Sequence, residues 1–210
     1  MNTQSIKKFF FIVFFVLTVI RLIPHLLVFN VCRKKEFIIQ DLKRWLKLCK
    51  PEKLQMDEDT NIQLALLYFM TFFPEYRNLF YNRIGFVHYF LRYLCRPMKF
   101  LFLDTEDIGP GFFIQHGYST AIAAKSIGKN CFVNHEITLG YSENKGQPVI
   151  GDNVFIHTGA RVIGDIVIGN NCRIGTNAVV VKSVPDNCTV VGVPAYIVKR
   201  DGVRVREELK

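Results

Sequence analysis

The arrangement of apolar and polar residues changes character close to residue 100 of this 210-residue chain. Before that point, apolar residues form one long run and then recur at three- and four-residue steps, which is typical of α-helices. After it, an aliphatic residue opens one six-residue unit after another, with Gly, Asn or Asp beside it. The pattern predicts a helical N-terminal part followed by a structure built from repeats.

The repeat is clearest from Ile150 onward, where successive units read IGDNVF, IHTGAR, VIGDIV, IGNNCR and IGTNAV. Upstream, IGKNCF and VNHEIT precede a ten-residue interruption at 140–149, and IGPGFF and IQHGYS precede a slip of one residue around 120–126. A six-residue period with one inward aliphatic side chain describes short strands that meet at corners, three to a coil. We predict a parallel β-helix, because a sandwich of short strands would alternate apolar and polar residues with period two.

The long apolar run covers residues 9–20, FFFIVFFVLTVI, and continues less regularly from Arg21 to the basic cluster 33–35. A membrane-spanning helix needs about 20 apolar residues, and no small-residue cleavage site of a signal peptide follows the run. Three interpretations stay open: association with the cytoplasmic leaflet through residues 6–32, a true span, and a buried or oligomer-forming helix. We predict a membrane-associated helix within a leader at 1–35.

Three further helices are predicted, with apolar residues at helical spacing in each. The first covers 37–50, the second follows a cap at Thr60 or Asn61, and the third runs from about 75 to 94. We interpret the aromatic residues of this part as packing, among them Tyr76, Phe80, Tyr81, Tyr89 and Phe90. The predicted segments are the leader 1–35, a helical domain 36–100, a β-helix domain 101–200 and a polar tail 201–210.

The net charge of +9 is confined to the first half of the chain. Residues 1–100 contain 16 Lys and Arg against 7 Asp and Glu, whereas residues 101–210 contain 11 of each class. No nucleic-acid-binding motif accompanies this charge, so a membrane surface is the better interpretation and no nucleic-acid partner is predicted. The six cysteines show neither C-x-x-C pairs nor metal-ligand spacing, which predicts reduced thiols in the cytoplasm and no bound metal.

Residues 108–199 resemble the hexapeptide-repeat acyltransferases, and the segments IGPGFFIQHGYST, IGKNC, ITLGY, IGDNVFI, GARVIGDIVIG and VVGVPA are most similar to the serine O-acetyltransferase branch. The resemblance implies a left-handed winding of the β-helix, and a homotrimer or dimer of trimers with active sites between neighbouring β-helices. It also implies transfer of an acetyl group from acetyl-coenzyme A to a hydroxyl. Such an enzyme would lie in the cytoplasm, here at the cytoplasmic face of the inner membrane if the leader binds lipid, and would serve cysteine synthesis if it acts on serine.

Acyl transfer to a hydroxyl needs a base near neutral pKa, and histidine is well suited. The resemblance places His116, in the motif IQHG, at the position of the family's catalytic histidine, so we predict it as the general base. One whole coil separates Ile114 from Val133, so His116 and His135 occupy equivalent places on adjacent coils, and we predict that His135 assists. We expect His157 near the same edge.

The resemblance assigns five residues to the donor. Gly140 stands at the base of the interruption and would permit close approach of the thioester. Thr158 and Thr176 match small residues that line the pantetheine channel. Lys182 and Lys199 match basic positions that meet the coenzyme's phosphates, with a solvated surface charge as the alternative for each.

Two departures from the serine branch concern the acceptor. The branch carries an aspartate where this chain has Gln115, and a basic residue and a histidine where this chain has Gly146 and Gln147. Two acceptors therefore stay open, serine and a sugar or capsular polysaccharide, while His116 argues against a third interpretation as a silent scaffold. The carboxylates considered for orienting the base are Asp104, Glu106 and Asp107.

Overall fold

The computed structural model describes residues 3–51, 56–57, 59–143 and 146–209. The chain forms two compact units that divide between Met98 and Lys99, a helical unit and a β-helix unit. The predicted leader and helical domain thus share one unit, and the predicted β-helix domain and tail share the other.

The helical unit contains α1 (Thr3–Val31), α2 (Lys35–Cys49), α3 (Ile62–Phe72), α4 (Pro74–Ile84) and α5 (His88–Leu91), with a 3-10 turn at Gly85–Val87. The side chain of Asn61 caps α3, because its Oδ1 accepts hydrogen bonds from two backbone N–H groups of the first turn at 2.9 and 3.2 Å. The single helix predicted from about 75 to 94 is divided instead. Gly85, at φ 61°, adopts a left-handed conformation that ends α4.

Helix α1 is longer than its unbroken apolar run, since it continues through Arg21 and Pro24 to Val31. Among the described residues it is the one helix that is long and apolar enough to cross a bilayer, by length and composition, over Ser5–Val31. Its inner face is packed nonetheless: Leu22 and Phe29 are fully buried. The ring of Phe11 stacks on that of Phe72 in α3, with 4.6 Å between centroids.

The centre of the helical unit is aromatic and contains a buried ion pair. Trp45 is fully buried, and its ring meets the ring of Tyr76 edge-on at 5.0 Å. Arg83 donates to both carboxylate oxygens of Asp41, at 2.9 and 3.2 Å, with both side chains out of contact with solvent. The predicted packing role holds for Tyr76, Phe80 and Tyr81, which are buried, whereas Tyr89 and Phe90 are 59% and 69% exposed.

The β-helix unit contains short strands: β1 (Leu101–Leu103), β2 (Phe113–Ile114), β3 (Thr120–Ile122), β4 (Ser126–Ile127), β5 (Phe132–Val133), β6 (Thr138–Gly140), β7 (Val149–Ile150), β8 (Phe155–Ile156), β9 (Arg161–Ile163), β10 (Val167–Ile168), β11 (Arg173–Ile174), β12 (Val179–Val180), β13 (Cys188–Val191), β14 (Tyr196–Arg200) and β15 (Val203–Glu208). Three sheets result, in the orders β1-β3-β6-β9-β12, β4-β7-β10 and β2-β5-β8-β11-β13-β14-β15. All pairs from β1 to β13 are parallel. The predicted parallel β-helix is confirmed, and its left-handed winding stays an expectation from the family.

The register explains why the six-residue period exists. Ile114, Val133, Ile156, Ile174 and Val190 face one another on successive coils and are all buried. Each coil therefore repeats the same inward position, and its backbone N–H and C=O groups form hydrogen bonds with the neighbouring coils. One set of corners takes a left-handed residue at φ 56–57°, which favours asparagine: Asn130, Asn153, Asn171 and Asn187.

The C-terminal end of the β-helix is closed by antiparallel strands. Strand β14 pairs with β13 and with β15, which form the last layers of the sheet. The range 201–210, predicted as a polar tail, contains β15. A six-residue period carries no information about a hairpin, because the hairpin leaves the repeat.

Candidate active site

The corner after β2 is larger than its counterparts on later coils. The inward Ile122 lies eight positions after the inward Ile114, whereas Leu139 lies six positions after Val133. The extra length is taken up by left-handed conformations at His116, Gly117 and Ser119, with φ of 68°, 61° and 49°. The slip that the sequence indicated around 120–126 therefore begins at this corner, and it presents His116 on an enlarged loop.

His116 and His135 are neighbours, as the coil count predicts. Their strands are in register through Ile114 and Val133, and their rings lie 5.9 Å apart between centroids at an angle of 62°. His116 is exposed and His135 is half-buried. Two histidines from adjacent coils thus line one corner.

The proton on His135 can be assigned from its partner. Asn134 Oδ1 accepts from the backbone N–H of His135 at 3.0 Å, so this atom is the amide oxygen and not the nitrogen. The same oxygen lies 2.8 Å from His135 Nδ1, which must therefore donate. In the neutral ring Nε2 then keeps its lone pair and is free to accept a proton or a hydrogen bond.

The next two places in this column of corners belong to threonines. The backbone N–H after Thr158 donates to the carbonyl of His135 at 3.2 Å, and the backbone N–H after Thr176 donates to the carbonyl of Thr158 at 2.9 Å. Thr158 is half-buried and Thr176 is exposed. Four predicted site residues therefore form one line along the β-helix, His116, His135, Thr158 and Thr176.

His157 lies beside this line, as expected from the coil count, but is not part of it. It stands one position before Thr158, and its ring packs against Phe155 with 4.7 Å between centroids. Burial, and secondarily the charge of Arg173, lower the pKa of His157. The unit IHTGAR has its histidine in the second place whereas VNHEIT has it in the third, so the offset was already present in the sequence.

Two residues near the corner were missed from the sequence. The ring of Tyr118 is 60% exposed and lies nearly parallel to that of His116, at 13° and 6.4 Å. Arg161 links the corners of the next two coils, because its guanidinium donates to the carbonyl oxygens of Glu136 and Gly159. The sequence could have indicated Tyr118, because the corner after β2 is longer than the corresponding corners of later coils. The six-residue pattern gives no indication of Arg161.

The remaining predicted donor residues lie elsewhere. Gly140 ends β6, and a Cβ there would meet only ordinary contacts at 3.8 Å, so packing within the chain does not require glycine. Lys182 follows β12, and its ammonium donates to the carbonyl of Leu209 at 3.1 Å. Lys199 is exposed on β14, opposite Thr189. The two lysines thus belong to the C-terminal end, several coils beyond His116.

A groove of about 830 Å³ lies at that C-terminal end. Its lining includes the acidic residues Asp186, Glu207 and Glu208 and the basic residue Arg200, whose guanidinium is already paired with Glu207 at 2.6 Å. This balance of charge is unsuited to a phosphate group. Among the described residues no group of three or more His, Cys, Asp or Glu could hold a metal ion.

The end of the interruption at 140–149 is packed tightly. A Cβ on Gly146 would lie 2.3 Å from Cβ of Asp165, so no side chain fits there without a shift of the backbone. Residues 144–145, within the loop predicted to cover the cleft, lie outside the described residues. The position at which the serine branch carries a basic residue is therefore closed to any side chain by Asp165.

Comparison with known proteins places this chain in a family. A model of the Bacterial transferase hexapeptide (six repeats) family matches residues 147–182. Serine acetyltransferase of Staphylococcus aureus is 48% identical over 102 residues, which are 47% of this chain and 48% of that protein. The chain thus spans about half the length of the curated relatives it matches.

Solved structures extend the likeness beyond the repeat. The crystal structure of Neisseria gonorrhoeae serine acetyltransferase has a TM-score of 0.60 at 30% identity, over 81% of this chain and 68% of that one. The same enzyme in complex with serine has a TM-score of 0.55 at 30% identity, over 77% and 67% of the two chains. This chain belongs to the hexapeptide-repeat transferases, within the family of the serine acetyltransferases.

Proposed function

We propose that this protein is an acetyl-coenzyme A-dependent O-acetyltransferase in which His116 is the general base. The observation that supports this most strongly is the exposed His116 on an enlarged corner, 5.9 Å from the ring of His135, in a chain of this family. An imidazole at such a place can meet an acceptor from solvent and still be held by the backbone of a rigid coil.

The proposed chemistry is one acyl transfer. A ring nitrogen of His116 takes the proton of the acceptor hydroxyl while the hydroxyl oxygen attacks the thioester carbonyl carbon. The tetrahedral intermediate collapses, the carbon–sulfur bond breaks, and the departing thiolate takes the proton from the imidazolium. An acetyl ester and free coenzyme A result.

His135 is proposed to orient the acceptor. Because Asn134 holds its Nδ1 proton, Nε2 of the neutral ring can accept a hydrogen bond from a second polar group of the acceptor. The hydroxyls of Thr158 and Thr176 continue the same line and are proposed to face the pantetheine arm. Gly140, Lys182 and Lys199 are proposed to contact the donor because they match family positions. The acidic groove near Lys182 argues against phosphate binding by that lysine.

Serine is the first candidate acceptor. It is supported by the names of the relatives and by the Neisseria gonorrhoeae enzyme solved in complex with serine. An enzyme that acetylates serine in the cytoplasm would supply cysteine synthesis. Donor sites between the β-helices of a homotrimer, or of a dimer of trimers, are part of the same proposal.

A sugar or surface polysaccharide is the second candidate acceptor. Three features support it: the side chains of Gln115 and Asn134 at the corner of His116 are uncharged amides, Tyr118 exposes a ring beside His116, and at another corner Asp165 closes position 146 to a basic side chain. Neutral amides and an exposed aromatic face suit a neutral polyhydroxyl ligand better than an amino-acid zwitterion.

Thiol release from acetyl-coenzyme A, followed with L-serine and then with a panel of neutral and acidic sugars, tests the proposal. Turnover with serine alone supports the first acceptor, and turnover with a sugar supports the second. No release of thiol above the rate of hydrolysis with any acceptor would contradict the enzymatic proposal and favour a scaffold.

Membrane association through residues 6–32 is proposed as well.

A further inference from the structure

The outer face of α1 exposes a continuous apolar surface. Residues at three- and four-residue steps along the helix are exposed, and Leu17 and Ile20 reach 67% and 71%. Such spacing places them on one side of the helix along its whole length. The residues of this outer face are Phe9, Phe10, Val13, Val16, Leu17, Ile20, Ile23, Leu27 and Val31.

A second apolar surface lies in the segment 85–94. It consists of the exposed residues Phe86, Tyr89, Phe90, Tyr93 and Leu94, of which Phe86 and Tyr93 are 74% and 82% exposed. Four exposed aromatic rings within eight residues are uncommon on a protein surface that faces water alone. We call this group the aromatic segment.

Buried hydrogen bonds connect α1 to Cys95, the residue that follows the aromatic segment. His25 of α1 lies 3.0 Å from the hydroxyl of Tyr81, and that hydroxyl donates to the carbonyl of Cys95 at 2.5 Å. Both surfaces therefore belong to one packed body.

The charged residues within these two stretches have one sign. Neither residues 3–31 nor residues 85–98 contain a single Asp or Glu, although the helical half as a whole contains both signs. Arg21, Arg92 and Arg96 are exposed within these stretches. A second copy of this chain would bring like charges together, whereas anionic lipid headgroups complement them. Exposed tyrosines beside an apolar face are also typical of the membrane interface.

The inner face of α1 argues against a crossing of the bilayer. From Phe11 to His25 this face contacts α3 and α4, through the Phe11–Phe72 stack, the 3.4 Å approach of the Thr18 and Thr71 hydroxyls and the His25–Tyr81 contact. A spanning helix would surround these polar groups with hydrocarbon or would lose its partners. With 11 residues, α3 is too short to cross beside it.

We propose that α1 and the aromatic segment form a monotopic docking surface, on which α1 lies in the plane of an anionic membrane and does not cross it. This builds on the membrane association proposed above and is independent of the acyl-transfer chemistry. Docking in this way would hold the enzyme at the surface where lipid-linked or membrane-bound hydroxyl acceptors are found.

Flotation of the full chain with vesicles tests the surface. Vesicles of phosphatidylcholine mixed with phosphatidylglycerol in equal parts should bind it, and Ile20→Asn/Leu27→Asn should lower the partition coefficient by about tenfold or more. Val181→Asn/Val203→Asn is the matched control, because these valines are 52% and 65% exposed on the β-helix unit and should leave binding unchanged. Equal binding by the outer-face variant and the wild type would overturn the proposal.

The charge and the orientation are tested separately. Arg92→Gln/Arg96→Gln should weaken binding to the anionic vesicles by about tenfold at low salt and leave binding to pure phosphatidylcholine unchanged. Epitope tags at the two ends should both be cleaved by protease added to inverted membrane vesicles. Protection of the N-terminal tag alone would mean a span and would overturn in-plane docking.

Two further readouts separate the alternatives. If Ile20→Asn/Leu27→Asn changes the oligomeric state in detergent and not vesicle binding, a second copy covers this face and the proposal is wrong. Acetyl transfer to a soluble acceptor is measured in detergent on the same preparations. Vesicle binding without thiol release would contradict the proposed function alone, and thiol release without vesicle binding would contradict the docking surface alone.

Discussion

The two units of this chain are stabilised in opposite ways. The helical unit has an irregular aromatic core around Trp45 and buries a charged pair, Asp41 and Arg83. The β-helix unit repeats one aliphatic position from coil to coil and keeps its polar groups in ladders at the corners, such as Asn153 to Asn171 at 3.1 Å. In the periodic unit a candidate site shows itself as a departure from the repeat. In the helical unit, which has no repeat, a candidate binding surface can be recognised only from apolar or aromatic side chains that are exposed to solvent.

The enlarged corner illustrates the first case. Two extra residues after β2 make this corner longer than the corresponding corners of later coils, and His116 and Tyr118 are found there. The aromatic segment illustrates the second, because its sequence resembles packing and only its exposure distinguishes it.

The largest expected effect is on catalysis at the corner of the β-helix. His116→Ala should lower kcat/KM by about a hundred- to ten-thousand-fold, because a general base is lost. His157→Asn should change it by no more than a few-fold, since His157 packs on Phe155 outside the line of His116 and His135. Thiol release at saturating donor measures both, with thermal unfolding as the control for folding. Near-normal turnover by His116→Ala would remove the proposed base.

The buried ion pair should be the most sensitive point of the helical unit. Arg83→Met should lower the free energy of unfolding by about 3–5 kcal/mol, because it removes the guanidinium that neutralises the buried Asp41 carboxylate. The exposed pair of the β-helix unit is the matched comparison: Lys129 lies 3.5 Å from Asp152, and Lys129→Met should change stability by less than about 1 kcal/mol. Denaturant unfolding of each variant measures this.

Recovery in the double variant Asp41→Leu/Arg83→Met would support this explanation, because an apolar pair replaces two buried charges. If the double variant is no more stable than Arg83→Met, loss of packing and not the loss of charge neutralisation at Asp41 accounts for the effect.

Acid should destabilise the helical unit through His25. Burial, followed by the charges of Arg21 and Arg77, lowers the pKa of His25 to about 4 from its usual 6.5. The folded state therefore keeps this ring neutral, while the unfolded state takes up a proton first as the pH falls. The stabilisation is present above about pH 6.5 and is lost as the pH falls to about 4, by about 2 kcal/mol between pH 7 and 5.

Unfolding of the wild type and of His25→Gln at pH 7 and pH 5 measures this contribution as the difference between their pH dependences. Equal pH dependence in both proteins would show that His25 is not the responsible group.

The smallest expected effect concerns a corner of the β-helix. Asn171 has φ 57°, so Asn171→Ala should lower stability by about 1–2 kcal/mol, whereas Asn171→Gly should lower it less. Thermal unfolding of the two variants gives the order. If both lose the same amount, the ladder hydrogen bond from Asn171 to Asn187 at 2.9 Å matters more than the backbone conformation.

The period of six residues was sufficient to predict the parallel β-helix and the proximity of His116 to His135. It succeeded because each coil pairs with the next, so residues one coil apart must be neighbours. It was also sufficient to exclude His157 from their line, since the place of a residue within its unit decides the corner on which it lies. His157 therefore lies next to the line, one position before Thr158, and not in it.

Other features depended on contacts between distant residues. The closure of position 146 by Asp165, the contact of His25 with Tyr81 and the break at Gly85 are absent from any local pattern. The sequence by itself determined the class of each unit, because helical and six-residue periods report which faces must be buried. Only the tertiary structure decided what lies against those faces, and therefore which side of α1 is packed and which is exposed, because packing partners far apart in the chain leave no periodic trace.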